Sequence, residues 1–472
     1  MKAANNVLSA GKTGTAGKAI RTGKDRLDLA RLPWLRPLIE SRWPLLLARA
    51  LTLAGFVFTI LVGLFGSPVG SHNFAIIFVW IAWWTALKLF FIPLGGRSWC
   101  SVCPLPMPGE WLQQGGLIAK ARQRLGLGLR WPRRLRGNWL QASLFLVIGL
   151  FSAVTLTDPR VTAWVLLGLI LLAVVLSLVY ERRAFCTYVC PIGGFTGIYA
   201  QTAPVELRVV DASLCAAHAE KTCYLECPWG LYPLGLRDSS QCGLCMECLR
   251  VCPQDNIALN LRPFSSDLGA PRRSQRLDEA FLALVMLGSA LAFSAVFTGS
   301  WGVLKNAALA IGSLPWLGYA AAFLTLNLAL LPAAFALTVW LAERDSQRPA
   351  PLRRALASWS QVLLPLGLFS WIAFTVSFAL PKFSYIINAL SDPLGRGWSL
   401  LGSTEIVVNA DKFNLAPFLQ LAALLVGLYW SVNLAASLAR AGVGAPLVWR
   451  KAAPLAAFSL LYTVLMMGLL LG

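Results

Sequence analysis

The residues best able to do chemistry in this chain of 472 residues are its 11 cysteines, which all lie between Cys100 and Cys252. Four of them, Cys242, Cys245, Cys248 and Cys252, follow a C-x2-C-x2-C-x3-C spacing and are followed at once by a proline. Three closely spaced thiolates can bind three irons of one [4Fe-4S] cluster, while the fourth reaches a second cluster. The run predicts iron-sulfur chemistry; structural zinc is the alternative, although zinc rarely uses this spacing.

A shorter motif precedes the complete run and lacks one cysteine: it consists of Cys215, Cys223 and Cys227. The two motifs together resemble the tandem motifs of bacterial ferredoxins, in which the last cysteine of each motif crosses to the other cluster. Cys227 would then join the first three cysteines of the complete run, and Cys252 would join Cys215 and Cys223. His218 stands at the vacant position and is a candidate ligand, because imidazole can replace thiolate on iron. A three-iron cluster, an open iron site and an ordinary surface histidine are the alternatives.

Two further cysteine pairs lie directly after predicted membrane spans, and each ends in Cys-Pro. They are Cys100 with Cys103, and Cys186 with Cys190. Because both pairs are predicted at the same membrane face, two helix ends would bring four thiols together. A third iron-sulfur site and redox-active dithiols are both consistent with this pattern, and structural thiols or another metal are further alternatives.

Most of the chain consists of apolar segments long enough to cross a bilayer. Hydrophobic residues make up 57% of the sequence and charged residues 13%, and the mean hydropathy is +0.64, well outside the range of soluble domains. The predicted fold class is a polytopic α-helical membrane protein with an inserted small α+β ferredoxin-like domain that binds two clusters. About nine spans are predicted, at 44–65, 74–94, 138–156, 161–180, 278–298, 316–342, 357–380, 414–438 and 448–470.

The positively charged residues orient these spans. Of the 41 Lys and Arg residues, 34 fall on one predicted side of the membrane and five on the other. By the positive-inside rule, the N-terminus and every cysteine are predicted on the cytoplasmic side of a bacterial inner membrane. The net charge of +20 therefore mostly reflects topology, and lipid rather than nucleic acid is the expected partner of the basic segments.

The sequence predicts four parts. Residues 1–43 form a basic, mobile cytoplasmic tail without a signal peptide, and residues 44–200 form a four-span core that carries both helix-end pairs. Residues 201–276 form the cytoplasmic ferredoxin-like domain, with short strands predicted at its two ends. Residues 277–472 form a five-span C-terminal domain.

The two Cys-Pro pairs at helix ends, followed by a tandem cluster-binding domain, resemble the NapH-type and NosR-type membrane polyferredoxins of respiratory nitrate and nitrous oxide reduction. The resemblance covers about residues 74–262 and extends to accessory proteins of cytochrome oxidase assembly. It implies membrane electron transport in respiration or denitrification, with quinol as a donor and a respiratory reductase or its accessory subunits as partners. The first pair departs from the C-x3-C-P spacing of the family, and without a flavin-binding domain ahead of the spans a flavin is not expected.

Electron transfer is the favoured function: two [4Fe-4S] clusters, one of them with a non-cysteine or missing ligand, pass electrons between a quinone or cytoplasmic donor and a reductase system. The alternatives are a redox factor that matures another metalloenzyme, and a redox-sensing regulator. No catalytic residue is identified, so whether the chain is itself a quinol-linked oxidoreductase stays open. The presence of only two histidines excludes a set of bis-histidine haems.

Overall fold

The computed structural model describes residues 26–114, 126–269, 276–298, 302–344, 350–402, 414–440 and 448–471. Within these residues, eight helices are long and apolar enough to cross a membrane, which confirms a polytopic helical fold with a small sheet-containing insert. The eight helices are Trp43–Phe65, Phe74–Gly95, Pro159–Val179, Leu277–Phe297, Leu314–Glu343, Leu352–Ala379, Ala416–Arg440 and Val448–Leu471.

The predicted span at 138–156 differs from these eight. The structure divides it into a helix at Trp139–Leu150 and a single turn at Ser152–Thr155, with Phe151 in a non-helical conformation between them. A helix of 12 residues is about 18 Å long, well short of the roughly 30 Å hydrocarbon core. Hydropathy averaged over a window does not detect a break at one residue, so the sequence predicted one more long span than the described residues contain.

The two halves of the chain pack through the helix Leu277–Phe297. This helix contacts Trp139–Leu150 and Pro191–Tyr199 of the first half and Leu363–Ala379 of the second. It is buried on most sides, because its neighbours come from both halves. The C-terminal helices pack in sequence, with Ala416–Arg440 between the Leu363–Ala379 and Val448–Leu471 helices.

Lys88 lies at the interface between the halves and is only 3% exposed. Its ammonium nitrogen stands 5.1 Å from the ring centre of Trp84, which precedes it by one helical turn. From the second half, Trp371 and Phe374 approach the same nitrogen at 4.9 and 5.3 Å. Aromatic faces carry partial negative charge, so this cage stabilises a buried cation.

The insert is built on an antiparallel sheet of three strands in the order β1-β3-β2. Strand β2 (Val205–Val209) pairs with β3 (Ile257–Leu261), and the short strand β1 (Leu27–Asp28) pairs with the other edge of β3. The two short strands predicted on either side of the cysteine motifs of the insert are therefore present. Both cysteine motifs of the insert lie between β2 and β3 in the chain.

Part of the predicted N-terminal tail belongs to the insert. Residues 1–25 lie outside the described residues, but β1 completes the sheet and the helix Arg36–Glu40 packs beside the complete cysteine run. Arg250 holds this segment by donating hydrogen bonds to the carbonyls of Ile39 and Ser41, at 2.8 and 3.1 Å. The prediction of a mobile tail is corrected from Leu27 onward, because a two-stranded sheet gains stability from a third strand.

The remaining elements are short and connect the long helices or carry the cysteines. The shorter helices are Trp99–Val102, Met107–Gln114, Phe185–Val189, Ala212–Ala217, Thr222–Glu226, Glu247–Arg250, Gly302–Leu309 and Phe383–Ser391. Single 3-10 turns lie at Leu29–Arg31, Gly70–His72, Arg133–Leu135, Pro233–Gly235 and Ser360–Val362.

Candidate iron-sulfur site

All 11 cysteines are free thiols, and electrostatic interactions between them define three neighbouring groups. We name these the complete-run group (Cys227, Cys242, Cys245, Cys248), the partial-run group (Cys215, Cys223, Cys252) and the helix-end group (Cys100, Cys103, Cys186, Cys190). The cysteines of the first two groups lie near one another as crossed ligation would require, and their assignment as ligands stays a prediction. Cys223 also interacts with Cys248, so these two groups are adjacent.

Cys-Pro sequences shape all three groups. A proline disfavours the helical conformation of the residue before it, and Cys103, Cys190 and Cys227 are accordingly extended, with ψ between 119° and 127°. The chain turns after the proline, and backbone N–H groups then point back at sulfur. The donors with their Sγ acceptors are Gly193 to Cys190 at 3.3 Å, Leu231 to Cys227 at 3.4 Å and Asn256 to Cys252 at 3.4 Å.

The helix-end group is brought together by two sharp changes of backbone direction. Gly96, which follows the Phe74–Gly95 helix, has a φ of 58°, and a Cβ there would lie only 3.2 Å from the Cβ of Ala200. This left-handed turn leads into the short helix that carries Cys100. On the other side, Cys186 lies in the π-helix Phe185–Val189, a type of turn that is often found at functional sites.

The helix-end thiols are buried together. Burial raises the pKa of the Cys186 thiol well above its usual value, and its neighbours Cys190, Cys100 and Cys103 raise it further, while Arg183 lowers it. Burial likewise raises the pKa of Cys190 to about 12. Without a metal, Cys186 and Cys190 therefore keep their protons at neutral pH, and metal binding would have to displace the protons.

A buried ion pair fixes the carbonyl of the first cysteine in this group. Arg183 is 2% exposed, and both its Nε and Nη2 donate to the carboxylate of Glu110, the latter at 2.8 Å. Its Nη1 donates to the carbonyl of Cys100. The same guanidinium lies 4.4 Å from the ring centre of Trp229, which belongs to the insert. Arg183 therefore joins the helix ends to the ferredoxin-like insert.

Arg97 is a second buried cation at this site. It is 3% exposed and donates to the carbonyls of Ser240 and Cys186, at 3.0 and 2.6 Å. Its Nε has no hydrogen-bond partner, and no carboxylate among the described residues pairs with it. Arg97 also acts electrostatically on Cys190 and Cys242, so one guanidinium serves both the helix-end and the complete-run groups.

Trp229 fills the space between these two groups. Cys100, Trp229 and Cys245 form one buried cluster, against which Cys227 packs. The indole lies so close to Gly243 that a Cβ at that position would overlap its six-membered ring. The glycine within the complete run is therefore required to let Trp229 approach.

The partial-run group lies beside the complete-run group. The Cys215 sulfur is 3.6 Å from the hydroxyl oxygen of Tyr232, and this contact raises the pKa of the tyrosine to about 12. His218 is half-buried just after the helix that carries Cys215, and its Nδ1 is buried without a hydrogen-bond partner among the described residues. The orphan nitrogen is consistent with a ligand role, which stays a prediction.

The three groups of thiols are suited to binding iron-sulfur clusters, in which each thiolate binds a different iron, rather than a single metal ion. No three His, Cys, Asp or Glu side chains of the described ranges converge on a point that would suit a single ion. Ligands of one zinc ion share a centre at about 2.3 Å, whereas the thiolates of a [4Fe-4S] cluster are spread over different irons. The hydrogen bonds to sulfur and the unpaired Arg97 guanidinium both favour an anionic thiolate-iron group at these sites.

Comparison with known proteins supports iron-sulfur chemistry. A family model described as a 4Fe-4S binding domain matches residues 76–128 and 162–205, ranges that contain the entire helix-end group. These matches make the chain similar to membrane proteins of the polyferredoxin type that bind 4Fe-4S clusters. Its polytopic helical fold is confirmed by the long apolar helices.

The relatives cover only part of this chain. An uncharacterized protein of Methanocaldococcus jannaschii is 26% identical over 223 residues, which is 46% of this chain and 83% of that protein. The methylamine utilization ferredoxin-type proteins MauN of Paracoccus denitrificans and Methylobacillus flagellatus are 27% and 28% identical, over 30% and 36% of this chain. The chain matches 52% of the length of each MauN protein. No solved structure matches this chain.

Three residues of the site were not predicted from the sequence: Arg97, Arg183 and Trp229. Each is an ordinary residue type near a membrane surface, and its partner is far away in the chain, as Arg97 is from Ser240. The sequence pattern that could have indicated Arg97 and Arg183 is a basic residue within a few positions of each Cys-Pro pair. A cationic collar at the membrane surface explains such residues equally well.

Proposed function

We propose that this protein carries single electrons between the quinone pool or a cytoplasmic donor and a membrane-associated reductase system. The observation that carries the proposal is the adjacency of the complete-run and partial-run groups in an insert that packs on the helix ends. When bound to such thiolates, [4Fe-4S] clusters accept and release one electron at a time. A chain of adjacent centres would lead from the insert surface to the membrane.

The residues around the thiols support reversible electron transfer. Backbone N–H groups donate to Cys190, Cys227 and Cys252, and such bonds stabilise the more negative, reduced state and raise the reduction potential. Trp229 and Leu231 pack against Cys245 and Cys227 and shield that side of the complete-run group.

We place the insert on the cytoplasmic face of a bacterial inner membrane. The support is the distribution of Lys and Arg, with 34 on the side of the cysteines and five on the other. A donor in the cytoplasm would reach the partial-run group, and a quinol would approach from the lipid. Lipid, a donor and a reductase are therefore the proposed partners.

The acceptor is proposed as a respiratory reductase of the nitrate or nitrous oxide type, or one of its accessory subunits. The support for this type is the resemblance of the Cys-Pro pairs and the tandem motif to the polyferredoxins of those systems. The MauN relatives carry methylamine utilization in their names, so an amine-oxidising system is a second class of partner to test.

An EPR-monitored anaerobic redox titration of the protein in lipid nanodiscs tests the proposal. We expect reversible one-electron centres, together with reduction by a soluble quinol analogue or by a reduced low-potential ferredoxin. Potentials near those of quinones would identify the quinol as donor, and potentials near roughly −400 mV would identify the soluble donor. The absence of any reversible centre, or reduction by neither donor, would overturn the proposal.

A further inference from the structure

The aromatic cage around Lys88 contains hydrogen-bond donors that have no acceptor. Lys88 is only 3% exposed, and its ammonium forms no hydrogen bond or ion pair with any described residue. The indole Nε1 of Trp84 and the hydroxyl of Thr85 are also buried without a partner in the described part of the chain. Both residues precede Lys88 by about one helical turn, so the three side chains lie on one side of the helix. Because buried polar groups are nearly always paired, this set of donors favours a ligand that accepts hydrogen bonds.

The rings around the ammonium come from both halves of the chain. We name the following residues the Lys88 cage: Lys88, Trp84, Trp371, Phe374 and Phe378, whose ring centre lies 5.7 Å from the ammonium nitrogen. Aromatic faces stack on other planar rings. Phe90, on the helix of Lys88, is 60% exposed at the outside of the bundle, and Phe378 is partly exposed. Since this helix is long and apolar enough to cross a membrane, a ligand would reach the cage from the lipid, on the side of Phe378.

Neither stability nor access to the membrane surface explains a charge at Lys88. Burial of a charge costs more free energy than contacts with aromatic faces return. A lysine near the end of a span usually extends its ammonium to the surface, whereas the ammonium of Lys88 lies 4.9 and 5.3 Å from the ring centres of Trp371 and Phe374. Ionisable residues inside spans are rare and generally mark a pathway or a binding site. A bound ligand therefore explains the charge best.

The Lys88 cage lies close to the helix-end cysteines. Cys190 caps a short buried helix, and Phe195 of that helix has its ring centre 5.6 Å from that of Trp84. On a second path, Trp99 directly precedes the first helix-end cysteine, and its ring centre lies 5.4 Å from that of Trp83, the neighbour of Trp84. Few aromatic side chains therefore separate the cage from the helix-end group.

We propose that the Lys88 cage binds the head group of a quinone, with the Lys88 ammonium donating a hydrogen bond to one carbonyl oxygen. A quinone head group is planar, its carbonyl oxygens only accept hydrogen bonds, and its apolar tail stays in the lipid. The cage supplies matching groups: rings for stacking and donors from Lys88 and Trp84. The proposal rests on the proposed function, because it gives a place to the quinone named there. Binding itself breaks no covalent bond and transfers no electron.

Photo-crosslinking of the full-length protein in lipid nanodiscs tests the proposal, with an azidoquinone that carries a decyl chain as the probe. We expect crosslinks, located by mass spectrometry, in the peptides that contain residues 84–88 and 371–378. Decylubiquinone should compete with the probe. Decylbenzene has the same chain and an aromatic ring but no carbonyl oxygen, so it should not compete.

Variants test the role of each donor. Lys88→Met should reduce the crosslinking yield by about tenfold, the loss expected for a hydrogen bond to a charged group, without a fall in melting temperature. Trp84→Phe keeps a ring but removes the indole N–H, so it should reduce the yield less. Lys305→Met, at an exposed position, is the matched control and should crosslink like the wild type.

The outcomes separate this inference from the proposed function. Equal yields in the wild type and in Lys88→Met, crosslinks only outside the cage, or competition by decylbenzene would overturn the quinone site. If quinol still reduces the redox centres in that case, the proposed function stands. Crosslinks in the cage of a protein without any reversible redox centre would support the quinone site and overturn the proposed function. If Lys88→Met does not accumulate, Trp84→Phe and the competition by decylbenzene still decide the question.

Discussion

At the scale of single residues, burial determines what the thiols can do. Burial raises the pKa of Cys190 and of Cys245 to about 12, so both are protonated at neutral pH when no metal is bound. The thiolate, not the thiol, is the nucleophile in alkylation and disulfide exchange. These cysteines are therefore poor dithiol reagents but become ligands when iron replaces the proton.

Alkylation after iron removal tests this point. In the folded apoprotein, Cys190 should react with iodoacetamide at least tenfold more slowly at neutral pH than in the urea-unfolded chain. Its labelling should accelerate as the pH rises toward 12, because the thiolate fraction increases. Mass spectrometry of the labelled peptides measures both rates, and circular dichroism confirms that the apoprotein remains folded. Equal rates in the folded and unfolded chains at neutral pH would contradict the account.

Gly243→Ala tests the close approach of Trp229. The added methyl group would overlap the indole ring, and overpacking of this kind costs about 1–3 kcal/mol. We expect a lower melting temperature and a displaced Trp229, visible as a changed tryptophan fluorescence spectrum. Gly235→Ala is the matched control, since a Cβ at Gly235 would meet no atom within 4 Å. If both variants melt at the wild-type temperature, the indole does not occupy this position.

Single residues also show what the sequence could and could not predict. The grouping of Cys227 with the complete run and of Cys252 with Cys215 and Cys223 was predicted from the tandem-motif pattern of bacterial ferredoxins, and the assignment of these cysteines as ligands stays a prediction. The position of Arg97 was not predictable, since its role depends on Ser240 and Cys186, far along the chain. Long-range packing of common residue types leaves no periodic or spacing signal in one sequence.

At the scale of elements, the ion pair of Arg183 and Glu110 connects two chain segments. It joins the helix Met107–Gln114 to the segment that precedes the π-helix Phe185–Val189. Both side chains are buried, so removal of one partner leaves an uncompensated charge. The pair thus positions the two halves of the helix-end group relative to each other.

Glu110→Gln should destabilise the protein by about 3–5 kcal/mol, because Arg183 stays buried without its counter-charge. The double variant Glu110→Gln with Arg183→Met should recover part of this loss, since the orphan charge is gone. Thermal unfolding in detergent, followed by tryptophan fluorescence, measures both. Glu181→Gln makes the same chemical change at a half-exposed position and should cost little. A Glu110→Gln variant as stable as Glu181→Gln would show that the pair contributes nothing.

Elements were predictable where their signal was local and regular. Hydropathy identified the eight long helices, and alternating apolar residues identified β2 and β3. The break at Phe151 and the two-residue strand β1 were missed, because each depends on packing against distant residues rather than on composition. The order of the tail from Leu27 onward was not predicted for the same reason.

At the scale of the whole molecule, the two halves meet around Lys88. Its ammonium has aromatic neighbours from both halves but no carboxylate partner among the described residues. Cation–π contacts contribute about 0.5–2 kcal/mol, which is less than the several kcal/mol that burial of a charge costs. The cage therefore holds the charge at a net cost in stability.

Lys88→Met should accordingly leave the protein as stable as the wild type or more stable, because methionine fills the cage without a charge. Lys305→Met, an exposed position, is the matched control and should melt at the wild-type temperature. Differential scanning fluorimetry in detergent measures the melting temperatures, and iron content confirms that the site is intact. A clear fall in melting temperature for Lys88→Met alone would contradict this account of the interface.

The three thiol groups lie in series across the molecule, from the partial-run group through the complete-run group to the helix ends. The central claim is that these thiols bind iron-sulfur clusters, and the middle group decides it because it touches the other two. Iron, sulfide and EPR spectra of Cys245→Ser, compared with those of the exposed control Ala216→Ser, test the claim most directly. The account predicts that Cys245→Ser loses about four irons and one EPR-active centre while the control keeps all of them. Full iron content and an unchanged spectrum in Cys245→Ser would contradict it.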